Sequence, residues 1–256
     1  METPQNKLKA ALVAGQVQHG IWLNTGTAVA AEIAGGIGFD WCLIDGEHGP
    51  NALTELGPQL RALTATGTQA VVRIPNADVW MIKQVLDLGA QTVLVPMVDT
   101  AEEAARLAHA MRYPPDGGRG MGGALARATG YGAVTDYVHT ANAQMCLMVQ
   151  AESAAAIQNL DAIARTDGVD GVFIGPADLS ADMGYPGQPD HPDVVKTIED
   201  AIARIVDAGK IAGIVTFDPA DVPRYEALGV TFLGVGGDVH TFRTSLAALL
   251  GAVKAS

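Results

Sequence analysis

The sequence predicts a single-domain (β/α)8 barrel spanning residues 1–256. Three observations do so: eight short apolar runs, each followed by a helix-like segment; no linker of domain-boundary character; and 256 residues, a length that such a barrel commonly fills alone. Alternating strands and helices demand parallel strands joined by right-handed crossovers. Eight units favour closure over an open dinucleotide-binding sheet. No GxGxxG motif lies between the first strand and its helix, which argues against a nucleotide cofactor.

Taken in order, a short leading helix covers Leu8 to Val13, and the first strand is Gly20 to Asn24, followed by an Ala-rich helix from Thr27 to Gly35. The second strand, Phe39 to Asp45, ends in Gly46-Glu47-His48-Gly49-Pro50-Asn51, and its helix runs from Ala52 to Thr66. The third strand, Ala70 to Pro75, is closed by its proline, with a helix from Asp78 to Leu88. The fourth strand is Thr92 to Met97, and Thr100 opens a helix with Glu102 and Glu103 in its first turn, a strong N-terminal signal. Tyr113 to Tyr131 interrupts the alternation with two prolines and many glycines; so long a loop in a compact domain is usually functional or disordered.

Order resumes with a helix near 133–143, a fifth strand from Met145 to Glu152, and a helix from Ala154 to Arg165. The sixth strand begins at Gly171 and stops at Gly175-Pro176; a further loop spans Tyr185 to Pro192, before a long helix to Ala208. Ile211 to Phe217 is the seventh strand, 220–228 its helix, and Thr231 to Val235 the eighth. The closing helix, to about Lys254, is expected to serve oligomer contacts.

Hydrophobic residues make up 48% of the chain, ample for a large core, and the net charge of −12 argues against a nucleic-acid or anionic-membrane surface. The start lacks the apolar core of a signal peptide, and no run approaches the roughly 18 apolar residues of a membrane span. Cys42 and Cys146 fall inside predicted strands, where free thiols act as small apolar fillers. These features predict a soluble, cytoplasmic protein.

Barrel chemistry gathers at the C-terminal ends of the strands. The second strand delivers Asp45, Glu47 and His48 there; the third Arg73; the fifth Gln150 and Glu152; the sixth Asp178. Glu152 and Asp178, on successive strands without matching cysteine or histidine, suit a hard divalent cation, Mg²⁺ or Mn²⁺ with Co²⁺ a further option. The competing reading makes both residues helix N-caps. His48 differs from the other five histidines in ending a strand inside a Gly-flanked turn, and Asp87, late in the third barrel helix, is a possible partner for its imidazole. Arg73 closes an apolar strand, where an arginine pairs with an acid or faces an anionic oxygen. Glu47 fits a structural salt bridge equally well. No lysine ends a predicted strand, so a Schiff-base route has no candidate.

The blocks LIDGEHGPN, VVRIP, LVPMVDTAEEA, RYPPDGGRGMGGALARA, VQAES and DGVFIGPADLSADMGYPG resemble the HpcH/HpaI class II pyruvate aldolases from about Leu8 to Val239. That resemblance implies metal-dependent, reversible cleavage of 4-hydroxy-2-oxo acids to pyruvate and an aldehyde, as in 4-hydroxy-2-oxoheptane-1,6-dioate aldolase. It implies Glu152 and Asp178 as metal ligands, His48 as the catalytic histidine with Asp87 its acidic partner, and Arg73 as the group stabilising the pyruvate enolate. Gln150 and Asp45 match the edge of the metal and water site, the backbone of Gly175-Pro176-Ala177 the segment receiving the pyruvate carboxylate, and Trp22 and Thr216-Phe217 pocket-wall positions. It further implies a homo-oligomer of trimers paired into hexamers, with the loop near Arg119–Arg127 entering a neighbour's aldehyde site. Two relatives of that chemistry compete: a 2-keto-3-deoxy sugar-acid aldolase, and a citramalyl- or malyl-CoA-type lyase, which would need a basic surface for the CoA phosphates. A non-catalytic binding barrel leaves Arg73, His48, Glu152 and Asp178 without explanation.

Overall fold

A computed structural model describes residues 1–255; Ser256, the last residue of the expected domain, lies outside the described residues. Eight parallel strands close in sequence order: β1 Gln18–Leu23, β2 Trp41–Asp45, β3 Gln69–Arg73, β4 Thr92–Val95, β5 Cys146–Ala151, β6 Gly171–Ile174, β7 Ile211–Thr216 and β8 Phe232–Gly237, which pairs back onto β1. The α-helices are α1 Lys7–Val13, α2 Ala28–Ile37, α3 Leu53–Thr66, α4 Val79–Asp87, α5 Ala101–Met111, α6 Tyr137–Gln144, α7 Ala154–Gln158, α8 Leu160–Arg165, α9 Pro176–Asp182, α10 Pro192–Asp207, α11 Val222–Ala227 and α12 Asp238–Lys254. The expected eightfold alternation is therefore present.

Local differences have local causes. The segment expected as one helix from Ala154 to Arg165 breaks at Asn159 into α7 and α8. β4 stops before Pro96, which lacks the N–H a ladder needs, and Met97 then takes a left-handed φ of 53°. A helix follows Ile174 almost at once: Pro176 stands at the first helical position, where its missing N–H costs nothing, and starts α9. At α5 the predicted start is a full capping box between Thr100 and Glu103. The long insertion 113–131 carries two 3-10 turns, Gly123–Leu125 and Arg127–Thr129, and is pinned by buried Arg119.

Two apolar compartments share the strands. Side chains pointing outward meet the helices in one continuous core, while those pointing inward form a second, among them Trp22, Trp41, Leu43, Val71, Leu94, Met148, Phe173 and Phe232. Large and small residues interlock inside. A Cβ at Gly20 would collide with the Trp41 ring and one at Gly234 with the Trp22 ring, so these glycines make room for the indoles. Trp41 stacks on Phe232 at 4.1 Å between centroids, and Trp22 meets Phe173 at 5.6 Å.

The N-terminal mouth is closed by α1. Leu8 and Leu12 are buried in the inner compartment. Around them Asn6 Nδ2 donates to Thr92 Oγ1 and the Gln144 carbonyl, and Lys9 Nζ pairs with Asp170, all at the entrance to strands. Only the C-terminal mouth is left for polar chemistry. Among the described residues no helix is long and apolar enough to cross a membrane.

Leu8→Ala removes the plug's buried side chain and should cost about 3 kcal/mol. Urea unfolding should show a lower midpoint at unchanged slope, with kcat unaltered in the folded range.

Candidate active site

Asp45 and Arg73 are direct register partners at the ends of β2 and β3. Strand alternation turns both inward, above the aromatic layer. Arg73 Nε donates to Asp45 Oδ1 at 2.8 Å and Nη2 to Oδ2 at 2.6 Å, a planar two-point pair with the Asp45 side chain only 1% exposed and that of Arg73 9%. Nη1 of Arg73 lies 2.8 Å from Glu47 Oε2 as an ion pair without hydrogen-bond direction, so that buried oxygen has no hydrogen-bond partner. Burial alone would raise the Asp45 carboxyl; the Arg73 hydrogen bonds and charge outweigh it and hold Asp45 below the usual carboxylate range. Burial likewise works against charged Arg73, but the Asp45 hydrogen bond, then the charges of Asp45, Glu47 and Glu152, raise its pKa.

The same carboxylate builds the turn that carries His48. Asp45 Oδ1 accepts the backbone N–H of Glu47 at 3.1 Å and of His48 at 3.3 Å, an aspartate turn. Asn51 Nδ2 ties the carbonyls of Leu23 and Asp45, joining the ends of β1 and β2. His48 itself stands at the rim, its side chain 64% exposed, with Nε2 3.8 Å from Glu47 Oε2.

Across the mouth, Glu152 is 2% exposed at the end of β5. Its Oε1 accepts the Met97 N–H at 2.8 Å, the bond that the left-handed turn at Met97 makes possible, and Gln150 Nε2 donates to its Oε2. Burial pushes the Glu152 carboxyl up to about 7; the two hydrogen bonds oppose this, and the charges of Asp178 and Glu47 add to it. Glu47 is raised as well, by burial first, with Arg73 and His48 opposing and Asp45 and Asp178 adding. Gln150 Oε1 is buried without a hydrogen-bond partner. A Cβ at Gly175 would strike the Glu152 carboxylate, so the glycine keeps space open beside it.

The N-cap reading of the two acids does not hold. Ser153, not Glu152, caps α7, accepting from Ala156 N–H, and Asp178 sits inside the first turn of α9, exposed, without a capping hydrogen bond. Among the described residues no group of three or more His, Cys, Asp or Glu side chains forms a metal cage. Two carboxylates, an orphaned amide oxygen and a glycine-cleared space do fit a hard cation that keeps open positions for water and substrate. Gly175, Pro176 and Ala177 form the N-cap and first turn of α9 beside Glu152. Trp22 lies one layer below, 6% exposed, as floor more than wall, whereas Phe217 is exposed at the rim and meets His240 edge-on at 5.9 Å.

Asp87 is the exception. It ends α4, the helix returning toward the N-terminal side of the barrel, and Arg119 Nη2 donates to its Oδ1 at 2.7 Å. His48 follows β2 on the opposite side. The expected His48–Asp87 pair is therefore not made within one chain: each has another partner and the two belong to opposite ends of their βα units. Sequence reasoning also missed Asn24, Met97 and Asp238. Asn24 at the predicted end of the first strand was the one visible signal, being polar and in line with Asp45.

A family profile described as HpcH/HpaI aldolase/citrate lyase matches residues 18–245. The chain belongs to that family. It is 55% identical over 254 residues to the hydroxypyruvate/pyruvate aldolase of Agrobacterium fabrum, covering 99% of this chain and 96% of that protein. It is 50% identical over 250 residues to the 4-hydroxy-2-oxovalerate aldolase of Rhodococcus jostii, covering 97% and 96%. The crystal structure of a family member from Burkholderia cenocepacia superposes with a TM-score of 0.94 at 37% identity, over 98% of this chain and 100% of that one. This HpcH/HpaI chain is thus an aldolase, a carbon–carbon lyase built on the barrel described above.

Asp45→Asn leaves buried Arg73 with Glu47 as its remaining ion-pair partner. It should destabilise the fold by about 3 kcal/mol, the low end for breaking a buried ion pair, read as a lower urea midpoint.

Proposed function

We propose that this aldolase reversibly cleaves 4-hydroxy-2-oxo acids to pyruvate and an aldehyde through the pyruvate enolate. The observation that carries this reading is the inward-facing Asp45–Arg73 pair at the barrel mouth, in electrostatic reach of the buried Glu152 carboxylate. Anchored through Nε and Nη2, the guanidinium keeps hydrogens on Nη1 and Nη2 for a substrate oxygen. Glu152 and Asp178, with Gln150 Oε1, would hold a divalent ion. When bound, such an ion supplies Lewis-acid withdrawal of electrons from the 2-oxo group.

The chain's own groups divide the remaining work. The first turn of α9 at Gly175-Pro176-Ala177 receives the substrate carboxylate. His48 takes the proton of the 4-hydroxyl at an imidazole nitrogen, the C3–C4 bond breaks, and the aldehyde departs along the rim formed with Phe217. The C3–C4 bonding pair becomes the C2–C3 double bond and the carbonyl π pair moves onto the 2-oxo oxygen, where Arg73 meets the developing negative charge. The proton held on His48 then passes to C3, which completes pyruvate and returns the imidazole to its neutral form. The relatives' names support small aldehydes with pyruvate or hydroxypyruvate as the other half, in preference to a heptanedioate substrate.

The reading extends to assembly. Val29, Ile33 and Ile37 form an exposed stripe on α2, and α12 has no buried residue while exposing Phe242, Leu246 and Leu249. These apolar faces support a homo-oligomer, trimeric or hexameric, as the family resemblance implies. If the 119–127 loop of one copy enters a neighbour's site, Asp87 travels with it, because Arg119 holds it and Gly122 lies against its carboxylate. The His48–Asp87 dyad then forms between copies.

Chelation with EDTA should abolish pyruvate release from 4-hydroxy-2-oxo acids, Mg²⁺ or Mn²⁺ should restore it, and Glu152→Ala should not respond to either ion. Full turnover in metal-free protein would refute the metal-dependent reading.

His48→Ala and Asp87→Asn chains, each inactive alone, should regain activity when dissociated and reassembled as a mixture. Roughly a quarter of the wild-type rate is expected at equal proportions, since about one site in four draws both intact residues. No recovery on mixing would place the two residues in separate roles.

A further inference from the structure

Four hydrogen-bonded groups run across four adjacent strands of the mouth, from β8 through β1 and β2 to β3. Asp238, the first residue of α12, uses both carboxylate oxygens. Oδ1 accepts the backbone N–H of Asn24 at 2.8 Å and of Val239 at 2.7 Å, and Oδ2 accepts from Thr25 N at 3.1 Å and Thr25 Oγ1 at 2.8 Å. Asn24, one residue beyond β1, sends its side-chain amide to Asp45 Oδ2 at 2.7 Å. That same oxygen accepts Arg73 Nη2.

From this line we infer that Asn24 and Asp238 are positioning residues for Arg73, setting the plane of the Asp45 carboxylate and hence the direction of the guanidinium. The inference rests on the proposed role of Arg73 at the substrate oxygen.

The physical reason lies in the softness of the aspartate side chain. The last torsion of aspartate is broad, so a carboxylate held only by Arg73 would share its rotation with the arginine. Asn24 adds a donor from the opposite flank, and Asp45 Oδ2 is then held from two directions while Oδ1 is held by Arg73 Nε and the turn amides. With Asp45 immobile, the planar fork of Arg73 has one orientation. Asp238 performs the equivalent service one step back. Only the Val239 bond is local to α12; its other three bonds reach the segment after β1, fixing where the Asn24 side chain starts. An amide at 238 cannot reproduce this, because only one of its two terminal atoms accepts.

The test is a cycle on the full-length, metal-loaded enzyme. Asn24→Ala, Asn24→Asp and Asp238→Asn are made alone and in an Arg73→Lys background. Each is assayed for kcat and KM in aldol cleavage, for hydrogen–deuterium exchange of the pyruvate methyl group by NMR, and for Tm. Asn24→Ala should lower kcat and the exchange rate roughly tenfold with KM within about twofold, and Asp238→Asn should lower both about threefold. Asn24→Asp, nearly isosteric but bringing a second carboxylate against Asp45, should be worse than Asn24→Ala, whereas a space-filling role would make it milder. In the Arg73→Lys background the losses should largely vanish, because the group being oriented is gone.

A fall in Tm with unchanged kcat, or losses that multiply undiminished in the Arg73→Lys background, would overturn the inference while leaving Arg73 in its role. An Arg73→Lys enzyme with wild-type exchange would instead remove the role of Arg73 and the inference together. If Asn24→Ala does not fold, Asp238→Asn and Asn24→Asp decide the matter by the same cycle.

Discussion

The mouth of this barrel depends on one buried ion pair, the two-point contact between Asp45 and Arg73. A guanidinium so nearly closed off from water would be expensive without a carboxylate in the same plane. Asp45 supplies it, and its remaining lone pairs are filled by the Glu47 and His48 amides and the Asn24 side chain. The pair therefore does three things at once: it neutralises a charge at the top of an apolar interior, orients the arginine, and shapes the turn that lifts His48 to the rim.

Below that pair the barrel is dry and aromatic, and α1 seals its far end. Polarity is confined to a single layer at the C-terminal mouth. There the charges are deliberately unbalanced: Asp45 is neutralised by Arg73, but Glu152, Glu47 and Asp178 together exceed the positive charge nearby, and Glu152 rises to about 7 as a result of burial reinforced by its acidic neighbours. Surplus carboxylate oxygens beside an open space would suit a divalent cation, which is the chemistry proposed above for this aldolase.

The one residue that does not converge within a chain, Asp87, sits with the 113–131 insertion, anchored by buried Arg119, which also lies over the Tyr113 ring at 4.4 Å. Met121 and Leu125 at the loop's crest are strongly exposed. These exposed apolar side chains stand on a base that Arg119 holds firmly. Exposed apolar side chains also line α2 and α12.

The eightfold alternation is legible in the residues alone, because strands buried on both faces read as continuous apolar runs and each ends at a proline, a glycine or a polar residue. So is the set of side chains that can reach the mouth: Asp45, Arg73, Gln150 and Glu152 end their strands, and strand polarity alone puts them on one side. The start of α9 was hidden, since Gly-Pro reads both as a stop and as a first helical turn. The pairings, by contrast, follow from closure of the barrel and from register. Barrel closure sets β8 beside β1, bringing Asp238 to Asn24 across 214 positions of chain, and register, not spacing, puts Asp45 opposite Arg73. Tertiary structure likewise separated Asp87 from His48, for a helix that follows its strand must run back to the other end of the barrel, whatever its residues would pair with chemically.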